Sequence, residues 1–378
     1  MQLLIACSQT QTDSQYLTTL TQKIQNWQAF IDLAYTNGIL PTVHNTLKDK
    51  PNIPTIVTEN LKKISFDIAR RNMLYTAELT NLVQIFQENK INALSFKGPI
   101  LSEIIFKNVT QRQFLDLDIF ISKSQIYTAA KLITEMGYIP MESIEFLKNE
   151  AKLQEEKNYE FFHPKKHTKV ELHWKLLNNP LLGNFTEYDV WKNALSLKLF
   201  NTELKTLDFE FQILYLCSHG TAHMWERVEW IVDIDRFLRK SSLDLERLFH
   251  LSSELQSTQT LLLGLYLSHT LFDTPLPDFV TQKIQKEKHY LENLQKSILS
   301  AMQLSESKKL TDTEENRLLF QFFLQLEKNP LKKTLFILKT VFKYSNHDIM
   351  TVNLPKKLYF LYYFIRIYRL SKKYIFKK

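Results

Sequence analysis

The chain has 378 residues, 44% of them hydrophobic and 12% aromatic, with 6 Gly and 11 Pro, which excludes a disordered or collagen-like chain and leaves room for more than one core. Its net charge of +8 is local: from Leu354 to Lys378 there are eight Lys or Arg and no acid, and without them bases and acids balance at 40 each. A nucleic-acid footprint spread over the whole body is therefore not expected.

The opening MQLLIACSQTQ sets apolar residues before Cys7 as a lipoprotein cleavage site does. It has no basic start, however, and its apolar run is shorter than the roughly 7 to 15 residues of a signal peptide. Cys7 and Cys217 lie far apart, which fits a reducing compartment and makes a cytoplasmic location the expectation. No run approaches the roughly 20 apolar residues of a membrane-spanning helix. Residues 14–90 carry helix-period apolar positions, broken by the loop DKPNIP. INALSF then reads as a strand and KG as a turn, with Pro99 in the first turn of a helix through PILSEIIFKN.

LDLDIFIS reads as the next strand, with Leu115, Leu117, Ile119 and Ile121 on one face and both aspartates on the other. SQIYTAAKLITEMGY follows as an amphipathic helix, capped by Ser122 or Ser124 and ended by Gly137. YEFFH and KVELHW alternate as strands around the polar turn PKKHT. After Thr206 apolar residues return to spacings of three and four. The expected fold is α+β and predominantly helical: a helical region over 1–87, a small mixed-sheet core over 88–200, and a helical domain over 201–378. Its basic aromatic tail, LPKKLYFLYYFIRIYRLSKKYIFKK, either packs as a last helix or touches an anionic membrane surface, and packing is the expectation.

Asp116 and Asp118, two apart on one strand, would stand roughly 7 Å apart and repel by about 2.4 kcal/mol at an effective dielectric near 20. A cation between them reverses that sign. Glu171 adds a third acid on the polar face of KVELHW, beside His173. Oxygen donors of this kind suit a hard cation such as Mg²⁺. His219 and His223 stand four apart as a zinc pair would, but Gly220 occupies the place of the glutamate in the metalloprotease pattern and no third ligand is marked. Packing or a substrate contact is the alternative for both, and Arg227 is a candidate phosphate contact.

The order KG, a helix, Arg112, D-x-D and then a VELHW strand resembles the nucleotidyltransferase (DNA polymerase β-like) superfamily. More closely, it resembles a bacterial family of uncharacterised nucleotidyltransferases. ILPTVHNTL, GYIP, ELHW and HGTAHMWERVEWIVDIDRFL extend the similarity over residues 30–240. The resemblance implies that Asp116, Asp118 and Glu171 are catalytic and bind metal, two Mg²⁺ ions being expected. It also implies that Lys97, Gly98 and Arg112 hold the nucleotide, the last as a fork on the triphosphate. Lys-Gly replaces the Gly-Ser turn of the wider superfamily, and glycine there still lets backbone approach a phosphate. The implied reaction is attack of an acceptor hydroxyl on the α-phosphorus of a nucleoside triphosphate, ATP being favoured, with loss of pyrophosphate. A small molecule or a protein is the expected acceptor. A regulatory module that binds nucleotide without turnover, or a nucleic-acid-modifying enzyme, remains the alternative.

Overall fold

The computed structural model of the chain describes residues 1–239, 243–307, 310–342, 352, 354 and 358–374. Of the tail, 355–357 and 375–378 lie outside the described residues. The N-terminal region is helical: α1 (Gln2–Ser8), α2 (Ser14–Thr21), α3 (Trp27–Thr36), α4 (Leu40–Leu47) and the long α5 (Thr55–Glu88). Cys7, set in the lipoprotein-like opening, is fully buried with Leu4 in α1. The DKPNIP loop separates α4 from α5, where proline and asparagine favour a turn.

A seven-stranded mixed sheet follows, in the order β3-β4-β5-β2-β1-β7-β6. Its strands are β1 (Ala93–Ser95), β2 (Leu117–Ile121), β3 (Ile139–Pro140), β4 (Asn158–His163), β5 (Thr168–His173), β6 (Leu195–Leu199) and β7 (Thr202–Thr206). β1 runs antiparallel to β2, β2 parallel to β5, and β4 and β5 form the expected hairpin. Helix α6 (Gly98–Phe106) connects β1 to β2 and carries Pro99 in its first turn, where a missing N–H costs nothing. α7 (Ile126–Glu135) and α8 (Glu150–Glu155) complete this part. The fold is thus α+β, with a mixed sheet among helices.

Three local readings change. The second strand begins at Leu117, not Leu115. Leu115 is exposed, and its carbonyl accepts from Tyr75 Oη on α5 at 3.0 Å instead of joining a ladder. Neither Ser122 nor Ser124 caps α7. Ser122 Oγ donates to Gln125 Oε1 at 3.1 Å, while Gln125 bridges to Lys90 and Asn92, so the serine serves the loop rather than the helix. Gly137 does end the helix, at φ +94°, with the Gly137 N–H and Tyr138 N–H returning to Thr134 and Ile133. The hairpin β6–β7 has no counterpart in the expected strands, and it extends the sheet to Thr206 through parallel pairing with β1.

From α9 (Phe209–Ala222) onward the described residues are helical: α10 (Val228–Leu238), α11 (Leu245–Glu254), α12 (Thr258–Phe272), α13 (Asp278–Lys286), α14 (Lys288–Ser307), α15 (Asp312–Leu326), α16 (Pro330–Phe342) and α17 (Leu361–Tyr374). α9 is buried on almost every face, which explains why it lacks an amphipathic stripe. Gly220 has a steric reason: a Cβ there would stand 2.6 Å from the Trp225 ring. The tail only partly meets the packing expectation. Tyr362 is buried and its hydroxyl donates to the Val352 carbonyl at 2.7 Å, yet Phe364 and Tyr368 are 64% and 70% exposed.

Candidate active site

The Lys97–Gly98 turn leaves the end of β1 and opens α6. Gly98 sits at φ +53°, a left-handed conformation costly for other residues, and a Cβ would lie 3.4 Å from the Asp116 carbonyl. The turn is therefore pressed onto the aspartate segment. Phe96 anchors it, edge-on to His173 and Tyr215, with its carbonyl held by Gln212 Nε2 at 3.0 Å. The Lys97 side chain then passes Tyr215 and brings Nζ to 3.9 Å from Asp118 Oδ1. Burial works against the Lys97 charge, but Asp118 outweighs it and the pKa stands above the ordinary lysine value.

Parallel pairing of β2 and β5 sets Asp118 opposite Glu171, with His173 two residues on. His173 Nε2 lies 2.9 Å from Asp118 Oδ1 and 3.4 Å from Glu171 Oε2. Glu171 also accepts from Asn158 Nδ2 at 2.6 Å and Lys169 Nζ at 2.8 Å. These partners split the acids electrostatically. Burial, then the charges of Asp118 and Glu171, push Asp116 up to about 6. Burial would raise Asp118 too, but Lys97 and His173 hold it well below the usual carboxylate range. Glu171 is likewise opposed by burial and brought down to about 2, chiefly by His173 and Lys169.

All ten residues singled out from the sequence line one cleft of about 410 Å³. Lys97, Gly98, Asp116, Asp118, Glu171 and His173 come from the sheet side. The helical side brings His219, His223 and Arg227, positioned by Met224 and Trp225, which both take φ +53° between α9 and α10. His219 is nearly buried, its ring 4.8 Å from that of His223 and 5.2 Å from that of Trp230. Burial pushes its pKa well below the ordinary histidine value, with Lys97 adding to the effect, so the imidazole is neutral at neutral pH. Among the described residues, the group of three side chains able to share a metal ion is Asp118, Glu171 and His173, with no member from the helical pair.

Arg112 departs from its expected role. Its guanidinium is turned away from solvent, Nε 2.9 and 3.2 Å from the two Asp233 oxygens and Nη2 2.9 Å from Asp233 and 2.8 Å from Glu229. The fork expected for a triphosphate is filled by two acids of α10. Arg227, the other candidate phosphate contact, donates to Glu229 Oε2 at 2.8 Å while keeping part of its surface in the cleft. Sequence reasoning missed Asn158, which stands one residue before the expected YEFFH strand and pairs opposite His173 through the hairpin register. It also missed Lys157 and Trp230, whose places in the cleft depend on tertiary packing, and Tyr215, which backs Lys97 and Phe96 from behind the lining.

No curated protein matches this chain. Among solved structures, the crystal structure of an antigenic nucleotidyltransferase-like protein from Paracoccidioides brasiliensis is similar over 49% of this chain and 91% of that chain, at 12% identity and a TM-score of 0.30. The model of a family described as uncharacterised nucleotidyltransferase matches residues 23–273, a span that includes every cleft residue named above. With well over half of its length matched in this way, the chain belongs to the family of uncharacterised nucleotidyltransferases.

Proposed function

We propose that the cleft transfers a nucleoside monophosphate from a nucleoside triphosphate, ATP being favoured, to a hydroxyl of a small-molecule or protein acceptor, with release of pyrophosphate. The observation that carries this reading is the convergence of Asp116, Asp118 and Glu171 with Lys97 in a single cleft. The donor set fits the divalent cation that such chemistry calls for. Oxygens of Asp118 and Glu171 and a nitrogen of His173 lie within 4.8 Å of one another, and burial together with the charges of Asp118 and Glu171 raises the pKa of Asp116 beside them. Mg²⁺ held by Asp116, Asp118 and Glu171 would supply positive charge to the phosphate oxygens.

The chain's own groups divide the remaining work. Lys97 is positioned to pass from Asp118 to a phosphate, and the first N–H groups of α6 lack helical partners, as those of any helix do. Glu171, ionised and clamped by Asn158 and Lys169, anchors charge and orientation and is a poor proton acceptor near neutral pH. Glu171→Gln keeps the shape and removes the charge. Nucleotide is expected to bind the variant still, while pyrophosphate release falls by about 10²-fold. Equal turnover by wild type and variant would remove Glu171 from the mechanism. Binding with no pyrophosphate release by wild type, whatever acceptor is supplied, would favour a regulatory nucleotide-binding module.

A membrane surface is the partner we propose for the tail. α16 and α17 contain no Asp or Glu, and on them Leu331, Leu335, Phe364 and Tyr368 are each more than half exposed. Exposed apolar side chains beside lysine and arginine suit an anionic bilayer. The double variant Phe364→Glu, Tyr368→Glu replaces only exposed groups. It is expected to keep its melting temperature and lose cosedimentation with phosphatidylglycerol vesicles. Absence of wild-type cosedimentation would remove the proposal.

A further inference from the structure

A second pocket, of about 500 Å³, lies between α5 and the turn of the β4–β5 hairpin and shares no lining residue with the cleft. Three cations line it, Arg70, Arg71 and Lys166, against one acid, Asp67. Lys166 is engaged by Glu78, with both carboxylate oxygens at 2.8 Å. Arg71 is different. Its Nε and Nη2 are shut off from solvent and have no hydrogen-bond partner among the described residues, and Asp67 makes no ion pair with either arginine.

A guanidinium carries five N–H donors in a fixed fork and is never deprotonated in a protein, so withdrawing two of its nitrogens from water without a partner is unfavourable. An oxyanion in the pocket restores what is missing once the Arg71 side chain turns its fork toward it, since the fork matches the paired oxygens of a carboxylate or phosphate. The rest of the lining sets the body of the ligand. Ile64, Leu74 and the rings of Tyr35 and Tyr75 give the pocket an apolar wall beside the cations. Tyr75 also forms a partition: its hydroxyl donates to the carbonyl of Leu115, the residue before Asp116.

We infer that this pocket is a second ligand site, for an organic anion whose phosphate or carboxylate meets Arg71 and Arg70 while an apolar body lies along Ile64, Leu74 and Tyr35. It stands back to back with the catalytic segment and is independent of the nucleotide reading of the cleft. The ligand chemistry has two sources to separate, the nucleotide's own phosphates in the cleft and a distinct anion here. Hexyl phosphate serves as the probe, with hexylammonium as the control of opposite charge.

Calorimetric titration of the full chain is expected to show saturable binding of hexyl phosphate and none of hexylammonium. Arg71→Gln should weaken that binding by about tenfold or more, the usual scale for losing a charge-assisted fork. Arg70→Gln, at an exposed position and therefore safe for the fold, should weaken it severalfold. Lys97→Gln should leave it unchanged, because Lys97 belongs to the other cleft. Equal affinity in wild type and both arginine variants would overturn the assignment. So would loss of binding in Lys97→Gln with the arginine variants intact, which would place the anion in the cleft.

Discussion

Asp118→Asn is expected to lower nucleotide turnover by about 10³-fold or more while the protein stays folded. Asp118 is almost completely buried at the back of the cleft, paired across the sheet with Glu171 and close to both Lys97 and His173. Removing its charge leaves the shape of the site and deletes the anion around which the site is organised. Several kcal/mol of charge stabilisation at the reacting phosphate corresponds to about three decades in rate. The fold is insulated because Leu117, Ile119 and Ile121, each at most 1% exposed, bind β2 into the core from its other face. The same loss is expected from Asp116→Asn, the acid whose pKa burial and the neighbouring charges raise. Pyrophosphate release, measured beside far-UV circular dichroism and a melting curve, checks both. Full turnover in either variant, or a variant that unfolds, would contradict the assignment.

Arg112→Ala is expected to destabilise the protein by about 3 to 5 kcal/mol, the scale for breaking a buried ion pair and leaving its partner uncompensated. Asp233 is left without its cation, and Glu229 keeps only Arg227. The interaction also joins the segment before β2 to α10, so its loss loosens the contact between the sheet and the helical half. Urea unfolding measures the effect as a lower midpoint at an unchanged slope. Arg112→Lys should recover only part of it, since an ammonium does not reproduce the fork. Unchanged stability together with lost nucleotide affinity would return Arg112 to the phosphate-contact role that its position in the sequence suggests.

Asp118 on its strand and Glu171 and His173 on the VELHW strand were legible because alternation fixes which face a side chain occupies, whereas the parallel β2–β5 pairing that brings them together, and the start of β2 after Asp116, were not. The lysine–glycine turn was legible for a similar reason: glycine before a proline-started helix has few other uses. Arg112 shows the limit of this reasoning. Its partners Asp233 and Glu229 lie more than a hundred residues away on α10, and no local pattern says that a fork is already filled. The β6–β7 hairpin was missed because LSLKL and TELKT are short, half polar and lack a strong turn signal, and their place in the sheet depends on parallel pairing with β1. The tail's apolar residues looked like core because composition alone does not tell a buried aromatic from an exposed one.

The proposed chemistry requires Asp116 and Asp118 to draw a nucleoside triphosphate into the cleft together with a divalent cation. Calorimetric titration of ATP into the full chain, with and without Mg²⁺, tests this without knowledge of the acceptor. Saturable binding at one equivalent is expected with Mg²⁺ in the wild type. It should be strongly weakened when Mg²⁺ is withheld or when Asp116 and Asp118 are both replaced by Asn. Binding of equal strength with and without Mg²⁺, and in the folded double variant, would contradict the proposed site.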